Sequence, residues 1–212
     1  MKIKKPALVA FAVVAGLVMT APAAAADSNF YGIFSAGWAK LDADSAAVDN
    51  RNTSTGFGTS LTSTSTGAAG GKAQLGYTVN KNFALEGGFT YLGKADFTSI
   101  TNLGAIGGSK KAYLFNVDLV GIIPFDEKLS ALARFGGYYW KTESEMPNVI
   151  TLGTSRVNDN GFDFKFGAGL QYDFTGKFGL RGEFERFNGV GSTSSTGDSK
   201  VNQITVGAVL KF

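Results

Sequence analysis

From residue 29 onward, apolar and polar side chains alternate with a period of two. In 162–174, FDFKFGAGLQYDF, every second residue from Phe162 is apolar, while Asp163, Lys165, Gln171 and Asp173 fall on the other face. In 178–188, Leu180, Gly182 and Phe184 share a side, and Arg181, Glu183 and Glu185 share the opposite one. At 201–212, one face reads Ile204, Val206, Ala208, Leu210, Phe212, apolar to its last residue. Such alternation belongs to strands whose two faces meet different surroundings. Short turn signals at 80–82, 126–128 and 175–177 each join two alternating runs, as in hairpins. Longer polar segments at 41–68, 96–110, 144–160 and 190–200 separate those hairpins. The pattern predicts eight strands, near 29–40, 69–79, 83–95, 111–125, 129–143, 161–174, 178–189 and 201–212.

The N-terminus follows another rule. MKIKK, ALVAFAVVAGLV and APAAAA read as the basic, apolar and small-residue parts of a secretory signal peptide over 1–26, cut before Asp27. The expected domains are that signal peptide and a barrel domain over 27–212. Three of the 20 basic residues are Lys2, Lys4 and Lys5, so the processed chain balances its 17 acidic residues. The net charge of +3 is therefore no argument for a nucleic-acid partner. The chain has no Cys and no His, which removes disulfides, thiolate metal sites and the usual general base.

Aromatic placement decides between a soluble and a membrane barrel. Tyr77, Phe83, Phe125, Tyr172, Phe174, Phe178 and Phe212 lie near the tight turns. Trp38, Phe89, Tyr91, Tyr113, Phe115, Tyr139 and Phe162 lie near the long polar segments. Two aromatic belts bracketing an aliphatic band, with short turns at one end and long loops at the other, point to a transmembrane barrel. The fold class expected is all-β, an eight-stranded antiparallel up-and-down transmembrane β-barrel. In lipid its backbone must be fully paired, so the last strand must close on the first.

The stretches FALEGGFTYLGK (83–94), VGIIPFDEKLSALARFGGYYWK (120–141) and LRGEFERF (180–187) make the chain resemble the outer-membrane protein A transmembrane-domain family. The resemblance implies a bacterial outer-membrane location, and it implies that Phe212 serves as a membrane-assembly signal. It also implies that Glu86 and Arg181 are the acid and Arg partner of a lumenal gate. Val120 stands where the family carries an alternative Lys, and Gln171 where it carries a second acid. Longer members append a peptidoglycan-binding domain, which is not expected here.

An eight-stranded barrel is just wide enough to be filled by its own side chains. The inward set is expected to hold Lys72, Arg134, Lys165, Arg181 and Lys211 against Glu86, Asp118, Asp173, Glu183 and Glu185. Within it, Glu86, Asp118, Arg134, Arg181 and Glu183 are the candidate interior charge cluster, with Asp118 and Arg134 as cross-strand neighbours. The function expected is a structural or surface-interaction role through the loops at 41–68, 96–110, 144–160 and 190–200, with a salt-bridged, plugged lumen. A narrow pore for small solutes is the alternative, and an outer-membrane enzyme ranks last. Expected partners are outer-membrane lipid and lipopolysaccharide, the barrel-assembly machinery and an extracellular ligand of the loops. No nucleic acid, cofactor, metal or catalytic residue is expected.

Overall fold

The computed structural model describes residues 29–43, 59–64, 67–101, 104–148, 153–191 and 199–212. The expected signal peptide lies outside the described residues, as do 44–58 and 65–66 of the first polar segment and 192–198 of the last. Among the described residues there are nine strands: β1 (Phe30–Ala43), β2 (Thr59–Thr64), β3 (Ala68–Asn80), β4 (Phe83–Thr101), β5 (Gly104–Pro124), β6 (Leu129–Asn148), β7 (Gly153–Asp173), β8 (Phe178–Val190) and β9 (Ser199–Lys211).

Eight of them form the barrel. Each pairs antiparallel with its neighbours in the order β1, β3, β4, β5, β6, β7, β8, β9, and β9 closes on β1 from Tyr31 opposite Lys211 to Ala43 opposite Ser199. The three tight turns share one chemistry. Asn80, Asp126 and Thr175 each accept the backbone N–H groups two and three residues ahead through their side-chain oxygens. Asx- and Thr-type turns of this kind reverse a chain without help from distant residues.

The walls sort as the alternation requires. Phe30, Tyr77, Phe83, Phe125, Phe174 and Phe178 stand exposed near the tight turns, and Trp38, Phe89, Phe115 and Phe162 near the other end. Between them the outer face exposes Leu75, Val117, Leu119, Leu170, Ile204 and Val206. The middle band is not purely aliphatic, since Phe135 and Phe166 face each other across β6 and β7 there. Apolar side chains on every barrel strand exceed any patch a water-facing monomer carries, and they suit lipid.

Two expectations about the polar segments need correction. The stretches 96–101 and 104–110 are not loop but paired strand, continuing β4 and β5 to Thr101 opposite Gly104. Likewise 144–148 and 153–160 continue β6 and β7 to Asn148 opposite Gly153. The ninth strand, β2, sits inside the expected first loop and pairs with β4 from Phe97 to Thr101, beyond the point where β3 leaves it. Gly93, at φ 91°, marks the bulge where β4 passes from one partner to the other. From Lys141 opposite Asn160 to Asn148 opposite Gly153, the β6–β7 ribbon runs about 24 Å beyond the aromatic belt at the usual rise per residue. The barrel thus has a tall wall of β4 to β7, joined by β2, and a low wall of β8, β9, β1 and β3.

Candidate functional site

The lumen is the site the sequence points to, and alternation positions all of its side chains. Residues 31, 33, 35, 37 and 39 of β1 face inward, as do 72, 74 and 76 of β3, the even-numbered residues over 84–92, 112–120 and 132–142, and the odd-numbered residues over 161–173, 179–187 and 201–209. The inward positions stack in three layers.

The middle layer is charged. Glu86 accepts hydrogen bonds from Arg181 at 2.6 Å, from Tyr31 Oη at 2.7 Å and from Arg134. Glu185 meets three cations: Arg134 at 3.0 Å, Lys165 at 2.5 Å and Lys72. Glu183 pairs with Lys72 at 2.5 Å and Arg134 at 3.1 Å, with Arg181 3.7 Å away. Asp118 pairs with Lys165 at 3.0 Å and accepts from Asn116 at 2.6 Å. Four cations and four carboxylates, all buried, therefore form one neutral network. Burying charge is costly, and mutual pairing in a low-dielectric interior offsets that cost only when each member is satisfied.

All five residues of the expected cluster lie in this network, but two details differ. Asp118 pairs with Lys165 rather than with Arg134, because the register sets Gly136 opposite Asp118 and Arg134 opposite Val120. Arg134 instead points across the lumen toward β4 and β8. Lys72, Lys165 and Glu185 belong to the core of the network, although only their inward orientation could be read from alternation. Tyr31 was missed as a partner of Glu86, and its place on the inward set of β1 was the available signal.

Below this layer, toward the tight turns, Tyr31, Ile33, Ala84, Val120, Leu132 and Val209 pack together, with Ile122 against them. The side of β7 to β9 is polar there: Gln171 accepts from Arg181 at 2.9 and 2.7 Å and donates to Asp173, which pairs with Lys211 at 2.7 Å. Above the charges, Ala39, Leu92, Ala112, Leu114, Tyr138, Trp140, Phe187, Val190 and Val201 form a second apolar layer. Thr90 and Asn116, linked at 3.3 Å, lie between that layer and Asp118. Phe212 sits on the outer face, its amide donating to Phe30 O at 3.1 Å and its ring 3.8 Å from where a Cβ on Gly32 would stand.

A family model described as the outer membrane protein beta-barrel domain matches residues 9–212. Outer membrane protein A of Escherichia fergusonii is 25% identical over 211 residues, covering 99% of this chain and 56% of that protein. The Shigella dysenteriae protein of the same name matches to the same extent. The chain thus spans little more than half the length of the curated relatives it matches. Among solved structures, the OprG barrel of Pseudomonas aeruginosa superposes with a TM-score of 0.57 at 11% identity, covering 87% of this chain and 97% of that one. Neisserial surface protein A gives 0.54 at 13%, covering 87% and 98%. Ail, the attachment invasion locus protein of Yersinia pestis, gives 0.50 at 19%, covering 87% and 99%.

Proposed function

The chain belongs to the outer membrane protein beta-barrel domain family, and from that premise we propose that it works at the cell surface while its lumen stays shut. It is an integral β-barrel of the bacterial outer membrane with a salt-bridged interior. The observation that carries the proposal is the neutral eight-member charge network held between two apolar layers. A conducting lumen needs a continuous hydrated path, and the upper apolar layer interrupts one. What remains available to a partner is the extracellular surface, above all the tall wall. Binding residues commonly sit on surface segments held by a rigid scaffold, and here the scaffold itself extends outward as paired strand.

Catalysis draws no support from the carboxylates. Glu183 and Glu185 are each paired with cations on other strands, which suits structural ion pairs better than a general acid or base. Outer-membrane lipid and lipopolysaccharide around the wall, and assembly machinery acting on Phe212, belong to the same reading. So does an unidentified extracellular ligand.

The test is solute entry into liposomes carrying the refolded barrel, beside a variant whose tall wall is shortened to the height of the low one. The proposal expects both to swell in isotonic small sugars no faster than empty liposomes. On cells, it expects any surface phenotype conferred by the full chain to disappear with the wall. Rapid swelling with the intact chain favours the second reading, a narrow pore, whose support is the polar chain from Arg181 through Gln171 and Asp173 to Lys211.

A further inference from the structure

We infer that the apolar layer around Tyr138, and not the salt-bridge network, separates the lumen from the extracellular side, so that the charged cluster communicates with the periplasmic mouth alone. This rests on the closed-lumen reading and adds where the closure lies.

Every barrel strand contributes to the layer. Six barrel strands contribute apolar side chains to it, and the other two place small residues there. On β3 this is the buried Ala68. On β7 it is Gly161, where an added Cβ would come within 2.6 Å of the Trp140 ring, so the indole takes the room a side chain would need. Asp163, opposite Tyr138 in the register, turns its carboxylate back to the Phe164 amide at 2.7 Å.

Tyr138 is fixed by more than packing. Its hydroxyl donates to Gly189 O at 2.7 Å and accepts from Gly189 N at 3.1 Å. These bonds tie β6 to β8 across the lumen, past the intervening β7. Its ring meets Phe187 edge to face at 5.3 Å, a favourable arrangement for two aromatics. Phe187 lies over the Lys165 ammonium at 5.4 Å, so the seal rests directly on the charged layer.

The opposite end is built differently. Exposure falls steadily inward along one hydrogen-bonded chain: the Lys211 side chain is 35% exposed, Asp173 18%, Gln171 8% and Arg181 2%. That gradient traces a polar entry from the periplasmic mouth to the network. A second observation agrees with it. The Ser35 hydroxyl and the side-chain amides of Gln74 and Gln203 are buried without a protein partner. Buried polar atoms of this kind are ordinarily satisfied by water, and for Ser35 and Gln74, on the network side of the seal, the polar side of the lower lumen is the approach open to it.

The absence of cysteine makes the test direct. Thr90→Cys places a thiol just beneath the seal, and Gln171→Cys places one on the polar entry. The full-length barrel, oriented in liposomes, is treated from each side separately with a small, charged, membrane-impermeant methanethiosulfonate. Gln171→Cys is expected to react from the periplasmic side, and Thr90→Cys to resist reagent from the extracellular side. Adding Tyr138→Ala is expected to speed that extracellular reaction of Thr90→Cys by an order of magnitude or more. Tyr138→Phe, which keeps the ring, is expected to leave it slow. Folding is checked by heat-modifiable gel mobility, and Phe187→Ala tests the same layer if Tyr138→Ala fails to fold. Extracellular labelling of Thr90→Cys that is equally fast with and without Tyr138 overturns the inference, as does a Gln171→Cys that reacts only from outside. Steady conductance of the parent barrel would instead refute the closed-lumen reading, so the two failures are distinguishable.

Discussion

Glu86 sits between two guanidinium groups and a phenol, and its removal leaves Arg181, among the described residues, with the more distant Glu183 as its acidic neighbour. An uncompensated buried charge costs about 3–5 kcal/mol. Glu86→Ala and Arg181→Ala are each expected to lower stability in urea by an amount of that order, and the double variant by less than their sum. Simple additivity would mean the pair is not coupled. Outside the membrane, Asp126 is held below the ordinary aspartate range by the Lys128 and Leu129 amides that its carboxylate accepts. A depressed carboxylate stabilises its turn fully above its unfolded value and loses that effect as pH falls through its folded one. Amide protection at Leu129 is therefore expected to persist through the ordinary carboxylate range and fail only below it. In Asp126→Asn that acid transition is expected to vanish. At this scale the sequence was informative about direction and poor about partnership. Alternation alone turned Lys72, Glu86, Arg134 and Glu185 inward, but Lys72 meets Glu183 across 111 residues of chain. Such a pairing depends on lumen geometry, which no local pattern encodes.

Among the elements, the hairpins at the membrane were legible because lipid on one side and a polar lumen on the other give each strand two unlike faces. The upward extensions of β4 to β7 were not, since a strand standing in water has no apolar face to alternate. Their polar composition therefore read as loop, and β2 was hidden for the same reason. The apolar lumen layers were also missed, because inward residues such as Leu92, Leu114 and Val120 look like lapses in an otherwise polar face. Strand curvature depends on close approach at Gly136, where a Cβ would run into the Val117 carbonyl and the Asp118 carboxylate. A small barrel needs such glycines to coil its sheet tightly. Gly136→Ala is expected to reduce the folded yield and shift the urea midpoint downward. Gly182→Ala, on the lipid face with nothing within 4 Å of its Cβ, is expected to behave as the parent. Equal behaviour of the two variants would count against this account of the curvature.

For the whole molecule, the three tight turns define one end and the tall wall the other. Protease added to intact cells is expected to spare the 126–128 turn and to cut only among the segments at the far end, whereas cleavage at that turn would reverse the orientation. The central claim is that a neutral charge network, capped by an apolar layer, closes the barrel. Planar-bilayer recording of the refolded chain tests it most directly. The account predicts no sustained single-channel current for the parent in molar potassium chloride, at either polarity. Long-lived, reproducible openings of the parent under those conditions would contradict it.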